Sequence, residues 1–215
     1  MARARFVRAT TPVGTLVFPH LTSPDDKFNA AGVYHTRMAL TAEETADLQA
    51  KADAVLEAFV DNDPDDIGTV KLGKAVTRPI ADEECDENGS ETGRFLVRFK
   101  MNASGTGRHG DFTREPALFD AKAAAIPLAD APDIWSGTKA RVSFEFVPYY
   151  MASTKSLGVS LRLRGVQIIE LANGDNKGGS SMGFEEEEGY VSTARKAAAG
   201  MGFESSEDTQ DDDDF

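Results

Sequence analysis

The chain has 215 residues, 40% of them apolar, with 36 Asp and Glu against 23 Lys and Arg and a net charge of −13. That length suits one domain with appendages. The single cysteine, Cys85, excludes an internal disulfide and a cysteine-built zinc site, and three histidines (His20, His35, His109) leave little for a histidine metal cluster. No apolar run approaches the ~18 residues of a membrane helix, and the N-terminal residues lack a signal-peptide core. The expectation is a soluble protein of a reducing compartment, without a membrane partner and without glycans at Asn88 or Asn102.

Taken along the chain, residues 32–40 alternate and are β-rich, which predicts a strand. Thr41 and Glu44 have the capping-box spacing. Leu48, Ala52, Val55, Leu56 and Phe59 come next at helical intervals, predicting a helix of roughly 17 residues stopped before Pro64. Residues 71–80 give no pattern. Residues 94–101 form the cleanest strand, with Phe95, Val97, Phe99 and Met101 on one face and Arg94, Leu96, Arg98 and Lys100 on the other. Residues 139–147 alternate in the same way, as do 159–171. In the last, Ile168 and Ile169 break the phase, and a bulge at Gly165 accounts for that. The body is β-dominated with one early helix, and five or so strands in this length point to a small OB-like barrel.

The charge is unevenly spread. Residues 173–215 carry 12 acids and 3 bases, and residues 82–91 (DEECDENGSE) carry 6 acids and no base. Without those two segments the body is slightly basic, so the acidic total is no evidence against nucleic-acid binding. Residues 173–181 have linker composition, and residues 182–215 cannot bury enough apolar surface to offset chain entropy. The chain ends in four aspartates and Phe215. One ring at the tip of a charged tether suits docking to a basic partner.

Three strands repeat one habit, an apolar face and a basic face: Arg94, Arg98 and Lys100; Lys139 and Arg141; Arg162 and Arg164. One such row is ordinary for a half-wet strand. Three, interrupted only by Glu145, suit a surface that tracks a phosphate backbone, and Arg3, Arg5 and Arg8 add a basic N-terminal arm. Unpaired bases stack on aromatic rings. Tyr149 and Tyr150 are adjacent, so in a strand one is core and the other a platform. Tyr34 and Phe112 are weaker platforms, and Trp135 is expected to pack.

The run Phe146-Val147-Pro148-Tyr149, followed by Gly158-Val159-Ser160-Leu161-Arg162-Leu163 and Ile169-Glu170-Leu171, resembles the C-terminal barrel strands of the single-stranded DNA-binding proteins of T7-like phages. Gly32-Val33-Tyr34, Phe119-Asp120-Ala121-Lys122, Gly189-Tyr190-Val191 and the acidic tail ending in Asp214-Phe215 fall in the same order, so the resemblance covers most of the chain. It implies an OB-fold with an inserted helix, sequence-nonspecific single-stranded DNA binding in phage replication, recombination and repair, and a tendency to dimerise. It implies location in the cytoplasm of an infected bacterium. It also implies an acidic tail that contacts the phage DNA polymerase and primase-helicase through its terminal aromatic. By position, Arg3 matches the family's basic N-terminus, Tyr149 its Val-Pro-Tyr aromatic and Phe215 its last residue. Ala31 and Tyr150 stand where a relative carries basic residues, and the tail is shorter.

Residues 105–110 fit the GxGxxG dinucleotide pattern, but the residues after them do not read as a helix, so the required context fails. No nucleophile or metalloprotease motif is present, and neither catalysis nor a cofactor is expected. The whole reads as a mainly β protein: a five-stranded OB-fold barrel over 1–172 with an inserted α-helix, and a disordered acidic tail over 173–215. Its expected nucleic-acid contacts are Arg3, Arg5, Tyr34, Arg94, Arg98, Lys100, Lys139, Arg141, Tyr149, Tyr150, Arg162 and Arg164. Its partner contacts are Asp211, Asp212, Asp213, Asp214 and Phe215. The alternative is a barrel whose acidic tail mimics DNA and binds a basic partner; it explains the tail but not three basic strand faces.

Overall fold

Alternation becomes strand wherever one face has a core to meet. The computed structural model of the protein describes residues 7–27, 29–62, 76–86, 88–107, 110–151 and 153–172. Its strands are β1 (Val7–Thr10), β2 (Gly14–Asp25), β3 (Val33–Thr41), β4 (Val76–Thr77), β5 (Ala81–Cys85), β6 (Glu91–Asn102), β7 (Ser104–Gly107), β8 (Gly110–Thr113), β9 (Ala117–Phe119), β10 (Ala125–Ile126), β11 (Lys139–Met151) and β12 (Ser156–Glu170). The helix α1 (Ala42–Asn62) lies between β3 and β6.

Five long strands pair in a ring. β2 pairs with β3 and β3 with β6, both antiparallel. β6 pairs with β12 in parallel, at Phe99 and Leu161. β12 returns antiparallel along β11, and β11 meets β2 where Ala140 faces Gly14. Numbered along the chain, the ring runs first, second, third, fifth, fourth, which is the strand order of an OB-fold. The inner faces supply the core: Leu16, Met38, Leu40, Val97, Phe99, Val142, Phe144, Phe146 and Leu163 are each 0–2% exposed. Phe144 is central, its ring 5.0 Å from those of both Phe99 and Phe146. Each such side chain contributes about 1.5–3 kcal/mol by leaving water.

The helix begins as the sequence predicts. Thr41 N–H donates to Glu44 Oε2 at 3.0 Å, and Glu44 N–H donates to Thr41 Oγ1 at 3.3 Å. Leu48, Ala52 and Leu56 are its buried stripe, and it runs 21 residues rather than 17.

Three features depart from or refine the sequence expectation. β2 has no counterpart in the sequence pattern: Pro19 and Pro24 lie inside it, and proline demotes a strand reading. The ladder tolerates them because the β2–β3 register shifts between Val17 and His20 and again between His20 and Asp25. The acidic segment 82–91, which shows only a run of like charge in the sequence, is a hairpin. Asp86 Oδ1 accepts from the backbone N–H of Asn88 and Ser90, both at 2.8 Å, and Gly89 turns with φ 80°. An Asx turn with glycine outweighs the like-charge repulsion. The bulge on β12 is present: Ser143 faces Gly165 and Phe144 faces Leu163, so Arg164 has no place in the ladder. A Cβ at Gly165 would stand 2.7 Å from the carbonyl oxygen of Ala117, so close backbone approach by β9 requires glycine there.

Candidate nucleic-acid interface

The outward faces of these strands bring charge together. Cross-strand registers place His20 of β2 opposite His35 of β3, His35 opposite Lys100 of β6, and Lys100 opposite Arg162 of β12. Arg162 then stands opposite Glu145 of β11, and Glu145 opposite Arg8 of β1. One belt of polar side chains therefore crosses six strands at about 4.8 Å per step. Arg37 and Arg98, paired with each other, form a second cationic position beside it.

Glu145 is the one acid in the belt. Its side chain is 11% exposed, with Arg8 Nε 3.0 Å from Oε1, Arg162 Nη2 2.6 Å from Oε2 and Arg164 Nε 3.5 Å from Oε1. Burial pushes its pKa up, but hydrogen bonds from Arg162 and Arg8 and the charges of Arg162 and Arg164 outweigh that and hold it below the ordinary glutamate value. Beside it opens a cleft of about 340 Å³ lined by Met101, Arg114, Glu115, Glu145, Arg162, Leu163 and Arg164. Arg114 lies 4.1 Å over the ring of Phe112, and that ring in turn covers Gly105.

Of the residues singled out from sequence, Arg98, Lys100, Arg162 and Arg164 come together here. Tyr149 shares their outer face but stands about 13 Å along β11 from Glu145, opposite Gly158 and two residues from the Val147–Ser160 pair toward the β11–β12 turn, in phase with Arg162. A Cβ on Gly158 would come within 2.5 Å of Tyr149 Cζ, so the phenol end of the tyrosine lies over that glycine. Tyr150 faces the other way and packs with Leu56, Leu157, Phe59 and Val60 against α1.

Tyr34 is corrected. It is 6% exposed within the core and its hydroxyl pKa is raised by burial, so its ring offers no face to a base; its place in the strand alternates with His35, which takes the outer side. Arg94 sits on the same face as Arg98 but about 13 Å along the strand, where its Nε donates to Glu84 Oε2 at 2.7 Å. Lys139 and Arg141 lie at the far end of β11. Lys139 Nζ donates to Thr15 Oγ1 at 2.6 Å, and Arg141 lines a separate hollow of about 240 Å³ with Thr10 and Phe119. Arg3, Arg5, Asp211, Asp212, Asp213, Asp214 and Phe215 lie outside the described residues.

Sequence reasoning missed Arg37, whose position follows from the alternation of Tyr34, Thr36 and Met38. It also missed the meeting of His20, Asp25 and His35. The two rings are 4.8 Å apart, His35 Nε2–H donates to Asp25 Oδ2 at 3.2 Å, and the three ligating atoms lie within 4.8 Å of one another. Among the described residues this is the group with the donor set of a zinc site, and only the irregular β2 brings it together. Burial lowers the His35 pKa, with the His20 and Arg98 charges adding to it and the Asp25 hydrogen bond opposing it. The imidazole is therefore neutral near pH 7. Trp135, expected to pack, is 52% exposed.

A five-stranded barrel with an OB strand order and an outward cationic belt belongs with the oligonucleotide-binding proteins as a structural class. Residues 10–197 match the family described as the single-stranded DNA-binding protein of Enterobacter phage Enc34, and the chain belongs to that family. It is 28% identical over 160 residues to the single-stranded DNA-binding protein of Escherichia phage T7, covering 74% of this chain and 66% of that protein. It is 27% identical over 207 residues to the single-stranded DNA-binding protein of Enterobacteria phage T3, covering 87% and 85%. The crystal structure of the T7 protein superposes with a TM-score of 0.54 at 20% identity, covering 88% of this chain and all of that one. The Enc34 protein in complex with single-stranded DNA superposes with a TM-score of 0.53 at 12% identity, covering 79% and 89%. These likenesses bear out the expected barrel fold and the expected family.

Proposed function

We propose that this protein coats single-stranded DNA without sequence preference during phage DNA replication and recombination in the infected cell. The observation that carries the reading is the cationic pair Lys100–Arg162, flanked by Arg37, Arg98, Arg164 and Arg8 on one outward face. Such groups neutralise successive phosphates and release counterions, which gives affinity that falls with salt and ignores sequence. The names of the T7 and T3 relatives support the same ligand. Tyr149, on the same outer face about 13 Å along the β11–β12 ladder from Arg162, supplies base stacking.

The acidic segment 173–215 completes the reading. Its charge is opposite to that of the belt, so it competes for the belt when DNA is absent and is displaced when DNA binds. The displaced segment, tipped by Asp211, Asp212, Asp213, Asp214 and Phe215, then recruits the phage polymerase and primase-helicase. A homodimer is part of the same proposal.

The test is fluorescence anisotropy of labelled oligo-dT and a matched duplex, with the full chain and a 1–203 truncation, at two salt concentrations. Expected are preference for the single strand, weakening with salt, and tighter binding by the truncation at low salt. Binding by neither protein overturns the reading. Equal affinity of the two at low salt overturns the competing tail alone.

A further inference from the structure

The exposed aromatics of the barrel are not scattered. Phe18 is 69% exposed and Trp135 52% exposed. Phe18 sits in β2 where Phe18 and Pro19 together stand opposite Thr36 alone, between the pairs Val17–Arg37 and His20–His35. This is a bulge, and Phe18 takes φ 47° in it, a left-handed conformation that bulges normally give to glycine. Strained backbone of this kind persists where surroundings enforce it, and clusters at ligand sites.

The enforcing element is the turn that carries Trp135. Phe18 N–H donates to Ser136 Oγ at 2.9 Å. Gly137 N–H donates to the Leu16 carbonyl at 2.9 Å, and Leu16 N–H to the Thr138 carbonyl at 2.8 Å. Ile134 is 8% exposed and plugs the core, which leaves the next residue, Trp135, on the surface. Two large rings thus stand on adjoining segments, joined by the Phe18–Ser136 bond and the Leu16 bonds to Gly137 and Thr138, with Val17, the neighbour of Phe18, in register with the outward Arg37.

We infer that Phe18 and Trp135 form a stacking site for two unpaired bases at the rim of the cationic face. The inference rests on the proposed single-stranded DNA binding and adds to it where the bases go. Aromatic faces take any base, so the site adds affinity without sequence preference, and each ring contributes through its π-face. The neighbouring arginines fix the occupant as a polyanion: phosphates at Arg37 and Arg98 set the strand so that its bases reach the rings. A second protein copy, itself net negative, would bring fewer matching charges.

The chain has one tryptophan, so its emission reports this position alone. Oligo-dT is titrated into the full protein while anisotropy records binding and tryptophan emission is followed. An abasic oligomer of equal length keeps the phosphates and removes the bases. Emission is expected to fall with oligo-dT and to stay level when the abasic oligomer is bound at low salt. Phe18→Gly fits the positive φ, so melting temperature is expected to hold or rise while affinity for oligo-dT falls about 5- to 100-fold. Trp135→Ala is expected to lose affinity to a similar extent.

Level emission with oligo-dT bound overturns the stacking site and leaves the proposed function standing. Parental affinity in Phe18→Gly does the same. An emission change on diluting the protein alone assigns the rings to a contact between copies and overturns the inference. No binding in anisotropy removes the proposed function, and this inference with it.

Discussion

Arg162 donates twice to one oxygen of Glu145, through Nη2 at 2.6 Å and Nε at 3.1 Å, across the antiparallel β11–β12 pair. Glu145 takes Arg8 on its other oxygen from the opposite neighbour strand. A carboxylate between two arginines in register ties three strands together and withholds those cations from solvent anions. The acid is therefore both a clamp and a brake on the face that carries it.

Glu145→Gln should separate these roles. Removing the charge takes one anionic partner from Arg8, Arg162 and Arg164, so affinity for oligo-dT rises at low salt and its salt dependence steepens, by about 0.7 in the log–log slope per added phosphate contact. Stability falls by about 1–2 kcal/mol, less than for a fully buried pair because the arginines are 31–64% exposed. Anisotropy and thermal melting of the same preparation read both; weaker DNA binding would show that Glu145 positions the arginines for DNA instead.

The two ends of β6 should behave differently. Arg98→Ala removes a cation paired with Arg37 on the belt face and is expected to weaken oligo-dT binding while lowering the salt slope. Arg94→Ala removes a partner of Glu84 about 13 Å away and is expected to leave affinity within twofold. Salt titrations of the two variants side by side make the comparison, and equal losses would extend the interface to the hairpin end.

Tyr149 and Tyr150 offer the matching test for aromatics. Tyr150→Ala opens a cavity against Leu56 and Leu157 and should cost about 3 kcal/mol of stability with unchanged affinity. Tyr149→Ala should lower affinity for oligo-dT by about 1–3 kcal/mol with a smaller loss of stability. Denaturant melts beside binding isotherms separate the two, and the reverse pattern would exchange the assignments.

Acid should undo the Glu145 clamp. Its folded pKa is depressed, so its contribution to stability is fully present above the ordinary glutamate value of about 4.3 and is lost as pH falls through the lower folded value. The difference in melting temperature between the parent and Glu145→Gln is expected to be largest near pH 6 and to shrink steadily below pH ~4. A difference independent of pH would assign the clamp to packing.

His35 runs in the same direction for stability. Burial keeps it neutral, so its contribution is present above the ordinary histidine value and lost as pH falls through the folded one. Its protonation also adds a positive charge beside His20, Asp25, Arg98 and Lys100 on the belt. DNA affinity is therefore expected to rise below pH ~6.5, and His35→Gln should flatten that rise in a pH series of binding isotherms.

Much of the barrel is legible because alternation is a local property. β3, β6, β11 and β12 each show it within a few residues, and the Thr41–Glu44 cap is written in two letters. β2 is not legible, since Pro19, Pro24 and the Phe18 bulge break its period and the pairing that rescues it comes from β3. The same cause hid His20 and Asp25 from His35. Arg98, Lys100, Arg162 and Arg164 are recognisable as basic faces, but that Lys100 stands beside Arg162 depends on a parallel pairing of distant strands. The burial of Tyr34 and the fate of Arg94 turn on phase and on the Glu84 partner, which no single strand reveals.

The ring has a consequence for how the molecule is made. β2 and β3, β5 and β6, and β11 and β12 can zip as neighbours, but closure needs Gly14 to meet Ala140 and Phe99 to meet Leu161. Those contacts are distant in sequence, so folding is slow compared with a helical protein of this size. A chain still emerging from the ribosome holds open the edge of β2 until β11 has been synthesised, and the end of β6 beyond β5 until β12 has. Such edges pair readily with other strands, and nascent chains crowded on one message meet each other before they can close.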